Sequence, residues 1–117
     1  VTMENILRRD HHLARSRACD TFCPLGPFIE TDLNSDNLYL TNKINETIYQ
    51  QSNTNNRIMN DAEIISFVSK FITLYPGDVI LTGTPSNAEN SLIYDGDIVS
   101  MEIEGLGQLT NQTRLYC

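Results

Sequence analysis

Two threonines flank a glycine at the end of a short apolar run in the second half of the sequence. The run, residues 78–81, leads into Thr82-Gly83-Thr84-Pro85. Gly83 lacks a Cβ and so lets a ligand approach the main chain closely, and the threonine hydroxyls both donate and accept hydrogen bonds. Pro85 ends strand pairing because it has no N–H. The segment therefore predicts one wall of a site for a small anionic or carbonyl compound. The alternative is an ordinary strand end followed by a turn.

Composition narrows the function classes. The chain has 117 residues and a formal net charge of −7, which suits one domain and disfavours binding to a phosphate backbone. No apolar run approaches the roughly 20 residues needed to span a bilayer, so neither nucleic acid nor membrane is expected as a partner. The three cysteines, Cys19, Cys23 and Cys117, have poor spacing for zinc and favour a reduced, cytoplasmic protein.

Local patterns predict a β-rich α+β fold, a mixed β-roll with one main helix at about residues 61–74. Asn60 and Glu63 form a capping-box pattern at its start, and Ile64 to Ile72 places apolar residues at helical spacing, which predicts a core face. Alternation and turn residues predict strands in the following ranges: 28–31, 38–41, 47–51, 79–81, 97–103 and 108–112. Pro76-Gly77 has type II turn chemistry.

Three longer blocks of the sequence form a recognisable set. The first is Asp20-Thr21-Phe22-Cys23-Pro24-Leu25-Gly26-Pro27. The second is Leu74-Tyr75-Pro76-Gly77-Asp78-Val79-Ile80-Leu81-Thr82-Gly83-Thr84-Pro85. The third joins Gly96-Asp97-Ile98-Val99 to Ile103-Glu104-Gly105-Leu106-Gly107. In this order the blocks resemble the C-terminal part of the fumarylacetoacetate hydrolase family. The resemblance covers nearly the whole chain and implies that residues 1–117 are a partial catalytic domain of this type.

The resemblance also implies chemistry. Family members act on 2-oxo and β-dicarbonyl acids by C–C hydrolysis, decarboxylation or isomerisation, through an enolate stabilised by Mg²⁺ (or Mn²⁺ or Ca²⁺). It places the metal-binding carboxylates upstream of Val1, so we expect no direct metal ligand in this chain. The isolated chain is then expected to be inactive, and the full-length form to be a homodimer.

The resemblance assigns five site residues. Arg17 lies where the family has an active-site lysine, and Thr21 matches a threonine near the metal, so both are candidate catalytic residues. Gly83 and Thr84 match the contact with a substrate carboxylate or carbonyl, and Asp20 is a substrate-binding candidate that could equally fix its loop by hydrogen bonds. If function is retained, Arg17, Thr21, Gly83 and Thr84 should converge on one cleft.

Several positions depart from the family pattern. Glu4 stands in place of a substrate-contacting arginine, Leu7 in place of a glutamine, and Glu46 in place of a turn glycine. Arginine at position 17 keeps a positive charge but transfers protons poorly near neutral pH. These departures leave two alternatives to an enzyme: a non-catalytic or degenerate paralogue, or a module that binds a small acid. Whether the chain belongs to an active enzyme is left open by its sequence.

Overall fold

A computed structural model describes residues 1–3 and 13–115, and in this part of the chain a four-stranded antiparallel sheet is the main element. Its strands are β1 (Tyr39–Ile44), β2 (Thr47–Asn53), β3 (Ile98–Ile103) and β4 (Gly107–Gln112), in the order β2-β1-β3-β4. The predicted β-rich α+β fold is confirmed. The sheet brings the hairpin β1–β2 beside the hairpin β3–β4, although some 45 residues separate them in the chain.

The turn of the first hairpin is tighter than the sequence predicts. Only Asn45 and Glu46 connect β1 to β2, with φ angles of 48° and 67°. Two successive residues with positive φ are the signature of a type I′ turn, whose twist matches that of the strands. A register shift between Asn42 and Lys43 marks a bulge in this hairpin, and strand pairing resumes with Asn42 opposite Gln50.

The strand register decides which side chains share a face. Asn42 lies opposite Met101, and Met101 lies opposite Leu109, so these side chains project from one face with Val99 and Ile103. That face is only partly covered: Val99 and Ile103 are half-buried, whereas Met101 is 49% exposed. The opposite face holds Ser100, which is buried and hydrogen-bonded to Thr110 through their hydroxyl oxygens at 3.0 Å.

Within residues 1–3 and 13–115, two α-helices accompany the sheet: α1 (Leu13–Arg17) and α2 (Asp61–Val68). The capping box predicted for α2 is present, since the Glu63 N–H donates to Asn60 Oδ1 and the Asn60 N–H donates to Glu63 Oε2, both at 2.9 Å. The helix ends earlier than predicted. Its last turn passes into i→i−3 hydrogen bonds at residues 70 and 71, and the Ser69 hydroxyl donates to the Ser66 carbonyl at 3.2 Å, which competes with helical pairing.

The apolar stripe of α2 does not form a core face within the described residues. Ile65, Phe71 and Ile72 are 52%, 74% and 61% exposed. Leu38 and Ile44 are the buried apolar residues of this part of the chain. Ile64 and Val68 are half-buried, so the predicted core face is wrong for Ile65, Phe71 and Ile72, which no described element covers.

Two strand predictions are also wrong. Residues 28–31 form no strand, because Glu30 Oε1 accepts the N–H groups of Thr31 and Asp32 at 2.8 and 2.9 Å and curls the backbone locally. Residues 79–81 form no strand either, since neither segment pairs with the described sheet. The type II turn before the second segment is confirmed: Gly77 has φ 98°, and the Asp78 N–H donates to the Tyr75 carbonyl at 3.0 Å.

Candidate functional site

The segment Thr82–Pro85 lies at the surface with its glycine open. Gly83 has φ 109°, and no heavy atom lies within 4 Å of the position that a Cβ would occupy. This φ lies in the region that side chains rarely adopt, so glycine is required here for conformation as well as for access. Thr84 is exposed, and among the described residues its hydroxyl has no hydrogen-bond partner. An exposed hydroxyl beside an open backbone can bind a carboxylate or carbonyl oxygen, with the hydroxyl as the hydrogen-bond donor.

A buried amide holds the C-terminal side of this segment to the sheet. Gln50 of β2 is 6% exposed, and its Nε2 donates to the carbonyl oxygens of Pro85 at 3.1 Å and Ser86 at 3.0 Å. Its Oε1 accepts from Asn42 Nδ2 at 3.1 Å. Sequence reasoning missed Gln50 because it lies in a polar, Asn- and Gln-rich stretch. The signal available was its register opposite Asn42 on the more apolar face of the sheet.

The block Asp20–Pro27 forms a loop after α1, as predicted. Thr21 has φ 69°, and the Phe22 N–H donates to the Cys19 carbonyl at 3.1 Å, closing a turn around it. The amino group of Val1 donates to the Phe22 carbonyl at 2.9 Å. Asp20 and Thr21 are both exposed. Within the described residues the Asp20 carboxylate makes no hydrogen bond to its loop, so the loop-fixing alternative gains no support.

Arg17 is the last residue of α1. The preceding residue, Ser16, is fully buried; its hydroxyl donates to the Leu13 carbonyl at 3.0 Å, and its own carbonyl accepts the Met3 N–H at 2.9 Å. The bond from Met3 attaches α1 to the first residues of the chain. Arg17 itself is exposed, and its guanidinium has no hydrogen-bond or ion-pair partner among residues 1–3 and 13–115. It is therefore available to an anion.

The convergence of these groups stays a prediction. In the part of the chain that the structure describes, no hydrogen bond or ion pair joins Arg17 or Thr21 to Thr84. Two surface hollows, of about 450 and 410 Å³, lie against α2, the first along its whole length and the second at its start, and none of the five predicted site residues lines either. Glu4 and Leu7, two of the departures from the family pattern, lie outside the described residues.

Two carboxylates outside the predicted site have shifted pKa values. The pKa of Asp61 is lowered from 3.8, first by its hydrogen bond with Arg57 and then by the Ser35 hydroxyl; Arg57 and Ser35 both bond this carboxylate directly. The pKa of Asp97 is also lowered from 3.8, first by the Asn45 amide and then by the Tyr94 N–H. Both groups already have protein partners, which favours a structural role over a catalytic one.

The described residues do not fit a complete metal site. They contain no group of three or more His, Cys, Asp or Glu side chains placed to hold an ion. Mg²⁺ in proteins is bound by carboxylate oxygens together with waters or substrate oxygens, and no such set is assembled here. We therefore assign no metal ligand to these residues and derive no catalytic step through a cation.

The chain is similar to one protein family along nearly its whole length. The model for the fumarylacetoacetate hydrolase C-terminal domain matches residues 1–114. An uncharacterised protein of Methanocaldococcus jannaschii is 41% identical over 114 residues, covering 97% of this chain and 47% of the relative. The mitochondrial oxaloacetate tautomerase of Rattus norvegicus is 42% identical over 101 residues, covering 80% of this chain and 32% of the relative.

A solved structure shares the fold. The crystal structure of a 5-carboxymethyl-2-hydroxymuconate delta-isomerase from Mycobacterium smegmatis superposes with a TM-score of 0.93 at 39% identity. The match covers 99% of this chain and 46% of that one. The chain thus spans less than half the length of the relatives it matches. No described helix is both long and apolar enough to cross a membrane.

Proposed function

Because this chain belongs to the fumarylacetoacetate hydrolase family, we propose that it is the C-terminal, substrate-binding part of an enzyme acting on 2-oxo or β-dicarbonyl acids. The reaction class is C–C hydrolysis, decarboxylation or isomerisation through an enolate. Residues 1–117 are then a partial catalytic domain, and the carboxylates that bind the family's Mg²⁺, Mn²⁺ or Ca²⁺ belong to another part of the protein.

The observation that carries this proposal is the open backbone at Gly83 beside the exposed Thr84 hydroxyl. Nothing lies within 4 Å of the Gly83 Cβ position, so an oxygen of a small acid can approach the main chain there. Thr84 donates to that oxygen. Fixed donors aimed at developing negative charge are the usual means of stabilising an enolate.

Arg17 and Thr21 supply the second half of the proposed site. A guanidinium presents its N–H donors in a fork that matches both oxygens of a carboxylate, so Arg17 binds the acid group of the substrate. Thr21 donates from a hydroxyl that is exposed in the turn after α1. Asp20 lies beside it as a substrate-binding candidate. Each of these side chains has the chemistry the substrate class requires.

The names of the relatives support the substrate class. Oxaloacetate, in the name of the rat tautomerase, is a 2-oxo dicarboxylic acid that interconverts with its enol. The muconate in the name of the mycobacterial isomerase carries a 2-hydroxy group, the enol form of a 2-oxo acid, and several carboxylates. An enolisable acid with two or more negative oxygens is what a guanidinium and two hydroxyls would bind.

A second candidate is a small-acid binding module without catalysis. The specific observation favouring it is Arg17 at the position of the family's lysine, because an arginine binds an anion but is a poor proton donor near pH 7. Binding without turnover, even in a protein that includes the metal-binding carboxylates, would support this alternative. Both candidates require Arg17 and Thr84 to contact the acid.

The proposed homodimer and the cytoplasmic location remain predictions. The rat relative is named mitochondrial, so the comparisons leave the compartment open.

The proposal is tested by titrating ¹⁵N-labelled protein with oxalate, a stable dicarboxylate that mimics an enolate, with and without Mg²⁺. We expect saturable shifts at the amides of Gly83 and Thr84. Thr84→Val, which keeps the shape but removes the donor, should weaken binding about tenfold, since a hydrogen bond to a charged group contributes about 1.5 kcal/mol or more. Ser86→Ala, just beyond the motif, should bind as the wild type does. Equal effects of the two substitutions would contradict the proposal.

A further inference from the structure

The side-chain amide of Gln50 bonds the backbone just after Thr84 and the side chain of Asn42. A glutamine amide carries two N–H donors and one carbonyl acceptor. Here Nε2 donates to two successive carbonyl oxygens, those of Pro85 and Ser86, and Oε1 accepts from Asn42. Backbone carbonyls only accept hydrogen bonds, so these two carbonyls fix which end of the Gln50 amide is the NH₂ group. The NH₂ group is therefore turned toward the segment and not away from it.

The Gln50 side chain, which we call the anchor of residues 85 and 86, is held in place by its position in the sheet. Gln50 and Asn42 lie opposite each other on β2 and β1, and Gln50 is 6% exposed. A buried amide that lost these partners would leave polar groups without hydrogen bonds, which is costly. Breaking these bonds is therefore unfavourable.

The segment that the anchor holds, residues 82–86, lies outside the strands and contains a glycine. Gly83 has φ 109° with nothing packed around its Cβ position, and residues 79–85 belong to no strand. One residue, Pro85, lies between Thr84 and the second tethered carbonyl, and its ring fixes φ. The direction of the Thr84 hydroxyl therefore depends on the position of the Pro85 and Ser86 carbonyls.

We propose that Gln50 is the positioning residue of the acid-binding segment: its amide, oriented by Asn42, holds Gly83 and Thr84 in the conformation that binds substrate. This inference rests on the proposed function of that segment. The bonds of Gln50 to this segment are to the backbone after the motif alone, so Gln50 is not itself a catalytic residue. The Asn42 Oδ1 atom is buried and has no partner among the described residues, so the tie from Asn42 runs through its Nδ2 alone.

The test compares Gln50→Leu with Gln51→Leu in ¹⁵N-labelled protein. Gln51 is the matched control, because it is the same residue type one position along β2 but exposed on the other face. We expect Gln50→Leu to lower the order parameters of the Gly83 and Thr84 amides from about 0.85, the rigid-backbone value, to below about 0.6. Oxalate affinity should fall at least tenfold. Amides of β1 and β2 should keep their wild-type shifts, and Gln51→Leu should change neither quantity.

A second variant keeps the test decisive if Gln50→Leu disturbs the hairpin. Gln50→Glu keeps the shape, but above its pKa it turns two donors into acceptors facing carbonyl oxygens. It should show the same loss of order at Gly83 and Thr84. Unchanged order parameters in a Gln50 variant with an intact hairpin would overturn the inference. Order lost in the variant, with no oxalate binding by the wild type, would uphold the positioning role and refute the proposed function.

Discussion

The side chain of Asn45 joins the turn of the first hairpin to Asp97, directly before β3: its Nδ2 donates to Asp97 Oδ1 at 2.7 Å. Asn45 Oδ1 accepts the Ile98 N–H and the Asn45 N–H donates to the Ile98 carbonyl, both at 2.9 Å. These three bonds fix one end of the pairing between β1 and β3. They also place β2, and with it Gln50, relative to the rest of the sheet.

The first prediction is a loss of stability in acid. Asp97 and Asp61 both have a pKa below 3.8 in the folded protein. The unfolded chain then binds protons first as the pH falls, so their stabilisation is present above about pH 4 and lost as the pH drops through the lowered values. The melting temperature measured from pH 6 to pH 2 should fall below pH 4. Asp97→Asn together with Asp61→Asn should flatten that fall, and an undiminished fall in the double variant would contradict this assignment.

The second prediction concerns strain in the hairpin turn. Glu46 has φ 67°, which costs a residue with a Cβ about 1–2 kcal/mol. Glycine removes this cost but adds about 0.5–1 kcal/mol of backbone entropy. Glu46→Gly should therefore raise the free energy of unfolding in urea by up to about 1.5 kcal/mol. Glu46→Ala, which keeps a Cβ, should give no gain. An equal gain in both variants would show that the carboxylate, and not φ, is responsible.

A third prediction follows from the contact of Leu33 with the β3–β4 turn. A Cβ on Gly105 would lie 2.8 Å from Leu33 Cδ1, at a φ of 80°. Gly105→Ala should therefore destabilise the protein by about 1–3 kcal/mol. Adding Leu33→Ala removes the clash but leaves the strained φ, so the two substitutions should be less than additive in denaturant unfolding. Strict additivity would show that Leu33 does not press on this turn.

The fourth prediction is self-association through the exposed apolar residues after the start of α2. Phe67 and Phe71 pack with ring centroids 5.4 Å apart and are 54% and 74% exposed, and Ile72 is 61% exposed. Contiguous exposed apolar surface drives association. Sedimentation velocity should show oligomers or aggregates, and Phe71→Ser with Ile72→Ser should shift the distribution toward monomer. A monodisperse wild-type monomer would contradict this prediction.

Local signals in the sequence predicted local structure well. The capping box at Asn60 and Glu63 and the turn at Gly77 depend on residues within a few positions of each other, so their chemistry is readable without a fold. The strand predicted at residues 28–31 is absent because the Glu30 carboxylate accepts the N–H groups of Thr31 and Asp32. The predicted burial of the apolar face of α2 was wrong in part, because periodicity identifies such a face but says nothing about which element covers it.

The site shows the same division. Gly83 and Thr84 were identified as candidates from residue type and from a family resemblance, and their role in a site stays a prediction. The anchor from Gln50 was not, because a hydrogen bond across 35 residues depends on strand register and on the path of a later loop. A polar residue in an Asn- and Gln-rich stretch carries no local mark of burial.

The central claim is that Arg17 and Thr84 bind one small acid, and a crystal structure with oxalate measures this directly. The account predicts the Arg17 guanidinium and the Thr84 hydroxyl at about 3 Å from oxygens of the same oxalate, which is hydrogen-bond distance. Side-chain tips more than ~12 Å apart could not share a ligand of a few atoms, given hydrogen-bond reaches near 3 Å. That separation, or oxalate bound away from Gly83, would contradict the claim.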